Sequence, residues 1–222
     1  MATEVLTRPL YSFAEVDRLA GVASGTARRW RTGYAFGSRD GPRIGMPPVT
    51  PRPAAGQAGA SFLDLVEVVA IGRFKQLGFS LRAIRFMVET CQQVLGVERP
   101  LTSLRFKQSG SRVFVDHADR LVEVGPKRAQ LAWKALLEPF LEDLDYRADR
   151  VATWWPEHRR GGVRIDPQWG FGRPVVGARG IRTDILREQW EAGVSMAEIA
   201  RDYVLDLAEV EAALRFELRR SA

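Results

Sequence analysis

The spacing of apolar and polar residues predicts two short helices near the start of the chain. Ser12 and Glu15 have the spacing of a capping box, in which each side chain bonds to the backbone N–H of the other residue. Apolar residues then recur at helical intervals until Gly21 ends the segment, and Ser24 or Gly25 can cap a second helix that runs through Trp30. This pattern is typical of a helix, a tight turn and a second helix.

Two longer helices are predicted after a loop that is rich in proline. Five prolines in residues 42–53 break the periodicity and indicate an irregular or hairpin-like loop. Ser61 then starts a capping box ahead of an apolar series that ends near Gly78, and Ser80 caps an amphipathic helix. Cys91 falls on the apolar stripe of that helix, so we expect it in the core.

The middle of the chain is predicted to hold a hairpin and a helix. Residues 103–116 alternate apolar and polar side chains around Ser109 and Gly110, which indicates a β-hairpin with its turn at that pair. Residues 127–144 return to helical spacing, and Pro139 should bend or split that helix.

The last part of the chain begins at a stretch of tryptophan, proline and glycine. For Trp154 and Trp155 we prefer packing between modules over an exposed anchor for a partner, because large aromatic side chains are more often buried. Capping boxes at Ser195 and Asp206 then begin short helices of a compact three-helix unit. The fold predicted is mainly α (α+β). Its regions are a helix-turn-helix at 1–95, a hairpin and helix at 96–158 and a small helical domain at 159–222.

Basic residues are concentrated near the start of the chain. The chain has 33 Lys and Arg against 27 Asp and Glu, a formal charge of +6, of which residues 1–60 contribute +4, residues 61–159 +2 and residues 160–222 zero. Within residues 24–52 only Asp40 opposes the arginines, which are Arg28, Arg29, Arg31, Arg39, Arg43 and Arg52. This imbalance favours an anionic partner such as nucleic acid, although a solvated basic loop would have the same composition.

A helix-turn-helix of this size can place its second helix in the major groove of DNA. Arginine can donate a fork of hydrogen bonds to guanine or pair with phosphate, and Ser and Thr hydroxyls suit phosphates or base edges. The residues predicted to contact DNA from this helix and its turn are Ser24, Thr26, Arg28, Arg29 and Arg31.

The same segment carries the motif GVxxxTxRxW, at Gly21, Val22, Thr26, Arg28 and Trp30, and LGFSLRAIR follows further on. With these motifs, residues 10–90 resemble the winged helix-turn-helix of MerR-type regulators. The resemblance implies that Trp30 packs inside, that Arg28 touches DNA and that Arg39 and Arg43 lie on the wing. A metal-sensing cysteine set and the long heptad helix of that family are absent from the sequence, so we expect a homo-oligomer formed through another surface.

Residues 160–222 carry a second set of motifs, namely Asp166-Pro167, Gly172-Arg-Pro174, Gly177-Ala-Arg179 and the run from Gly193 to Tyr203. They resemble a small antitoxin-associated domain that accompanies PIN-type ribonuclease toxins, and the whole chain is similar to large VapB-type antitoxins. The resemblance implies double-stranded operator DNA and a PIN-type toxin as partners. Aromatic and arginine residues are favoured interface anchors, so the candidates for toxin binding are Trp169, Phe171, Arg173 and Arg179. Alternatively, the glycines and prolines serve turns, the aromatic residues fill a small core and the last helices form another helix-turn-helix.

The sequence contains no catalytic or metal-binding constellation. One cysteine excludes an internal disulfide and a cysteine-based metal site, and it suits a reducing cytoplasm. Arginines interrupt the acidic cluster Glu142, Asp143, Asp145 and Asp149, as on a solvated face, and His117 and His158 lack the spacing of metal ligands. A signal peptide and a span of about 20 apolar residues are missing, which disfavours secretion and membrane insertion. We expect neither enzymatic activity nor a cofactor.

From the sequence we therefore expect a cytoplasmic antitoxin that represses its own operon and neutralises a PIN-type ribonuclease by direct binding. The alternative is a stand-alone transcriptional regulator whose middle region, residues 103–146, senses a small ligand. A third hypothesis, an enzyme acting on nucleic acid, would require metal-dependent cleavage by the purified chain.

Overall fold

A computed structural model describes residues 2–37, 44–50, 59–116, 130–131 and 133–219 of the chain. These residues are mainly helical, and their strands pair in two-stranded sheets, which agrees with the predicted class. They form two compact units, whereas the sequence predicted three regions. The front unit comprises Thr7–Glu142 and Tyr146–Val151, and the C-terminal unit comprises Met1–Leu6, Asp143–Asp145 and Ala152–Ala222. None of the helices in the described ranges combines the length and apolar character needed to cross a membrane.

Capping residues predicted some, but not all, of the helices that the described residues form in the first two thirds of the chain. These helices are α1 (Ala2–Thr7), α2 (Phe13–Ala20), α3 (Thr26–Thr32), α4 (Phe62–Gln76), α5 (Leu81–Leu95), α6 (Leu104–Asp116) and α7 (Glu138–Glu142). Ser12 and Ser61 form complete capping boxes at the starts of α2 and α4, and the Ser80 hydroxyl caps α5. Local hydrogen bonds therefore set these helix starts, as expected.

Helix α4 runs through the core of the front unit. Its side chains from Phe62 to Ile71 are buried on every face, which is the pattern of a helix surrounded by protein. The Phe74 ring near its end packs against Phe79 and Phe114, with ring centroids 5.9 and 5.8 Å away. The prediction that Cys91 is a core residue is confirmed, since α5 buries it completely.

The predicted hairpin over residues 103–116 is wrong, because this segment forms α6. Gly110 lies within the helix, where an added Cβ would come 2.7 Å from the ring of Phe106. That ring packs against Trp133, with centroids 5.5 Å apart. Gly110 therefore makes room for a core aromatic ring, and it does not form the turn that its pairing with Ser109 suggested.

A change of helix type precedes the hairpin that the structure does contain in this region. A π-helical turn, Trp133–Leu137, leads into α7, and Pro139 is the second residue of α7, as expected of a helix altered beside a proline. The hairpin of β3 (Leu144–Arg147) and β4 (Arg150–Trp154) follows. Residues 127–129 and 132 of the predicted helix lie outside the described residues.

The predicted three-helix unit at the end of the chain is confirmed. Its elements are β5 (Val175–Val176), β6 (Ile181–Arg182), α8 (Thr183–Glu191), α9 (Met196–Tyr203) and α10 (Leu207–Arg219). Ser195 and Glu198 form the capping box of α9, and buried Thr183 donates a hydrogen bond of 2.6 Å to Glu217. Trp154 is buried within this unit, so it is a core residue and not an exposed anchor.

Candidate nucleic-acid interface

Asp17 fixes the start of the second helix in the helix-turn-helix. Its buried carboxylate accepts the backbone N–H groups of Gly25 and Ala27, each at 2.7 Å. A carboxylate at this place accepts hydrogen bonds from N–H groups that lack a partner within the helix. Its negative charge also interacts favourably with the positive end of the helix dipole. Gly21 and Gly25 supply the left-handed backbone of the turn, with φ of 65° and 76°. Helix α2 therefore holds α3 in a defined position.

Arg31 lies on the inner face of α3. Its side chain is 1% exposed, and its guanidinium donates to Asp64 and, at 3.1 Å, to Glu67 of α4. Trp30 is also buried, as the family resemblance implied, and its carbonyl accepts the N–H of Val49 at 2.8 Å. The expectation that Arg31 contacts DNA is therefore wrong, because two buried carboxylates bind its guanidinium.

The outer face of α3 and the preceding turn present three of the other candidates to solvent. Ser24, Arg28 and Arg29 are exposed, and the Arg28 side chain makes no hydrogen bond or ion pair within the part of the chain that the structure describes. Thr26 is only 8% exposed, and its hydroxyl accepts a long hydrogen bond of 3.4 Å from Arg29. Thr26 therefore belongs to the support of the helix, and we remove it from the predicted DNA contacts.

A short antiparallel hairpin follows α3. It consists of β1 (Tyr34–Phe36) and β2 (Ile44–Met46). Of the two forms predicted for the proline-rich loop, irregular or hairpin-like, the start of the loop therefore has the hairpin-like form. Gly33 permits the close approach at its base, because its φ is 74° and an added Cβ would lie 2.5 Å from the Met46 carbonyl oxygen. Phe36 is 50% exposed on this hairpin.

The chain after this hairpin is held by α5. Arg85 donates to the carbonyl oxygens of Pro47 and Pro48 at 2.8 and 3.0 Å. The predicted wing residues Arg39 and Arg43 lie between β1 and β2 and outside the described residues.

A fourth charge completes the buried cluster behind α3. Arg99 donates to Asp64 at 2.8 Å and to Glu67 at 3.2 Å, so two guanidinium groups share two carboxylates. Burial raises the pKa of Glu67 above its ordinary value, although Arg99 and Arg31 oppose the rise. Reasoning from the sequence missed this cluster and also Asp17. The available signal was a pair of acids, Asp64 and Glu67, within an otherwise apolar helix.

The residues predicted to bind a toxin lie in the C-terminal unit. Phe171 is 85% exposed and stands in the short turn Gly170–Gly172 with a left-handed backbone, φ 55°. A bulky side chain rarely adopts this conformation, and its exposure excludes a core role. The alternative that the aromatic residues fill a small core is therefore wrong for Phe171.

Trp169 lies beside Gly180, the residue that follows Arg179 in the chain. An added Cβ at Gly180 would be 2.7 Å from the Trp169 ring, and the Arg164 guanidinium lies 5.7 Å from the centre of that ring. Trp169 is 42% exposed, Arg179 is exposed and Arg173 is half-buried. The result is an exposed surface of aromatic and cationic groups.

Two acids of the cluster near residue 145 pair with basic side chains of the same unit. Asp143 lies 2.6 Å from the Nδ1 of His158, and Asp145 accepts a hydrogen bond of 2.7 Å from Arg159. Among the residues with described positions, no three His, Cys, Asp or Glu side chains converge as metal ligands would. His117 lies outside the described residues.

Comparison with known proteins relates the chain to others without a stated function. Residues 163–216 match the family described as a protein of unknown function, DUF433. The uncharacterized protein Rv2308 of Mycobacterium tuberculosis is 24% identical over 225 residues, which cover 96% of this chain and 92% of that protein. The crystal structure of Rv2018 from Mycobacterium tuberculosis superimposes with a TM-score of 0.73 at 21% identity, covering 94% of this chain and 100% of that one. The chain therefore shares its fold with Rv2018.

Proposed function

We propose that this protein binds double-stranded operator DNA through a winged helix-turn-helix formed by α2, α3 and the β1–β2 hairpin. The observation that carries the proposal is the orientation of α3, whose inner face is held by Trp30 and Arg31 while Arg28 and Arg29 occupy its outer face. A helix fixed in this way presents guanidinium groups to bases and phosphates with little further ordering. The basic surplus of the first 60 residues supports the same partner.

The second part of the proposal is that the protein is the antitoxin of a PIN-type ribonuclease. Its support is the resemblance of the sequence to VapB-type antitoxins, together with the exposed Trp169, Phe171 and Arg179. Aromatic and arginine side chains are frequent interface anchors, and a guanidinium can pair with the carboxylates of an acidic nuclease site. Self-association and assembly with the toxin would join several DNA-binding units, which strengthens operator binding by raising their effective concentration.

Titration of the chain's own promoter DNA at several salt concentrations tests the first part. We expect the double variant R28A/R29A to bind about tenfold or more weakly and to lower the slope of log K against log salt by about 2, if both side chains contact phosphates. The matched control is R160A/R201A, which removes two exposed arginines from the C-terminal unit. Wild-type affinity and slope in R28A/R29A would exclude α3 from the interface.

Purification of the tagged chain from its native cells, with nuclease treatment, tests the second part. We expect a PIN-type ribonuclease in stoichiometric amount, and less of it with F171A or with Arg179→Glu. F36A is the matched control, because it removes an exposed ring from the front unit. Recovery of the chain alone contradicts the antitoxin proposal.

A stand-alone regulator that responds to a small ligand is the second candidate. A polar cavity in the front unit favours this candidate, because a regulator that responds to a small ligand needs a site that binds the ligand. Recovery of the chain without a toxin, but with intact operator binding, would favour this candidate.

A further inference from the structure

A polar cavity of about 210 Å³ opens in the front unit beside the end of α5. Three arginines, Arg99, Arg105 and Arg150, line it together with the acids Glu98 and Asp149. Its volume suits a small metabolite and is below that of sites for drug-sized ligands. The cavity is separate from the exposed face of α3.

The guanidinium groups around the cavity keep much of their hydrogen-bonding capacity. Arg105 donates to the Leu95 carbonyl at 3.0 Å and approaches Asp149 only to 3.9 Å. The Arg150 side chain makes no hydrogen bond or ion pair with the described residues. Each guanidinium carries five N–H donors, and planar oxyanions such as carboxylates and phosphates accept them in pairs. Three arginines against two acids leave the lining with a net positive formal charge, so it suits a small oxyanion better than a cationic ligand.

Arg99 connects this cavity with the candidate DNA-binding helix. Its guanidinium donates to Oδ1 of Asp64 and to Oε2 of Glu67, and Arg31 of α3 donates to the same two atoms. The other carboxylate oxygen of Glu67 is buried and has no hydrogen-bond partner among the described residues. Without Arg99, Arg31 is the guanidinium that still donates to Glu67.

We propose that this cavity binds a small oxyanion, a carboxylate or a phosphate, among Arg99, Arg105 and Arg150, and that the bound anion weakens operator binding by drawing Arg99 away from Asp64 and Glu67. The second half rests on the proposed DNA binding. The anion competes with the two carboxylates for the same N–H groups. When Arg99 bonds to the anion, the two buried carboxylates keep only the guanidinium of Arg31. An incompletely paired buried charge lowers the stability of the fold. The loss of stability falls on the ion pairs that hold α3.

Isothermal titration calorimetry tests the cavity. Inorganic phosphate and succinate are titrated separately, at constant ionic strength, into the full chain and into R105Q, R150Q and R160Q, each checked for folding by circular dichroism. We expect one probe to bind the wild type, with about tenfold weaker binding to R105Q and R150Q and unchanged binding to R160Q, which changes an exposed arginine of the C-terminal unit. The probe that binds separates a phosphate ligand from a carboxylate. Binding of neither probe, or equal binding to R150Q and the wild type, overturns the site.

Operator titration with the saturating probe tests the coupling. We expect about fivefold weaker operator binding by the wild type and a smaller change for R150Q. A free anion also competes with DNA at α3 itself, and R150Q measures that contribution. Equal responses of the two proteins overturn the coupling. A wild type that binds no operator at all contradicts the proposed function and the coupling with it, whereas calorimetry still decides whether the cavity binds an anion.

Discussion

Arg28 and Arg31 stand three positions apart on α3 and meet opposite surroundings. Arg28 is exposed, whereas Arg31 is buried against Asp64 and Glu67, which lie 33 and 36 residues further along the chain. Their common charge and their places on the second helix predicted DNA contact for both arginines, because the partners of Arg31 belong to another helix and leave no local signal. An exposed arginine can therefore be distinguished from a supporting one only when its partners in the folded chain are known.

Replacement of Arg31 by alanine should destabilise the front unit. It leaves two buried carboxylates with Arg99 alone, so we expect the free energy of unfolding to fall by about 3–5 kcal/mol. Urea denaturation measures the change. The control R28A lies on the exposed face of the same helix and should shift the free energy of unfolding by no more than about 0.5 kcal/mol. Similar effects of the two substitutions would contradict the burial of Arg31.

The thiol of Cys91 should be unreactive in the folded chain. Burial raises its pKa from 9.0 to about 12, so near pH 9 the unfolded chain forms thiolate and the folded chain does not. Stability therefore falls as pH rises from 9 towards 12. Alkylation by iodoacetamide at pH 8.5, followed by mass spectrometry, should be slow in buffer and fast in denaturant. Rapid modification in buffer alone would show that the thiol is accessible.

At the scale of elements, the capping residues predicted most helix starts correctly because their hydrogen bonds are local. Ser12, Ser61 and Ser195 each form the reciprocal bonds that their sequence spacing indicates. The hairpin prediction over residues 103–116 failed because Gly110 is used for contact with Phe106, a requirement of packing that leaves no local signal. Turn propensity and core packing select glycine for different reasons.

Substitution of Gly110 by alanine provides a test of this explanation. Alanine favours an α-helix by about 1 kcal/mol over glycine, but its Cβ would meet the buried Phe106 ring at 2.7 Å. We expect the clash to prevail and the free energy of unfolding to fall by about 1–3 kcal/mol. S109A changes the neighbouring exposed residue and should be neutral or slightly stabilising. A G110A variant that is more stable than the wild type would contradict close packing at this position.

At the scale of the molecule, the spacing of apolar residues and the capping boxes predicted the mainly helical class, but not the division into two units. No local pattern indicated that the segment around α6 and α7 belongs to the same unit as α2 to α5, because this grouping depends on contacts between distant segments. The C-terminal unit also contains three consecutive helices, the arrangement that was alternatively interpreted as another helix-turn-helix. An experiment that locates DNA binding therefore has to cover both units.

Hydrogen–deuterium exchange of the full chain, with and without its promoter DNA, tests the central claim most directly. If α3 and the hairpin form the interface, exchange should slow in peptides that cover residues 24–36 and 44–50, with no change over residues 183–219. Slower exchange over residues 183–219 and none over residues 24–36 would place DNA binding on the last helices and contradict the account.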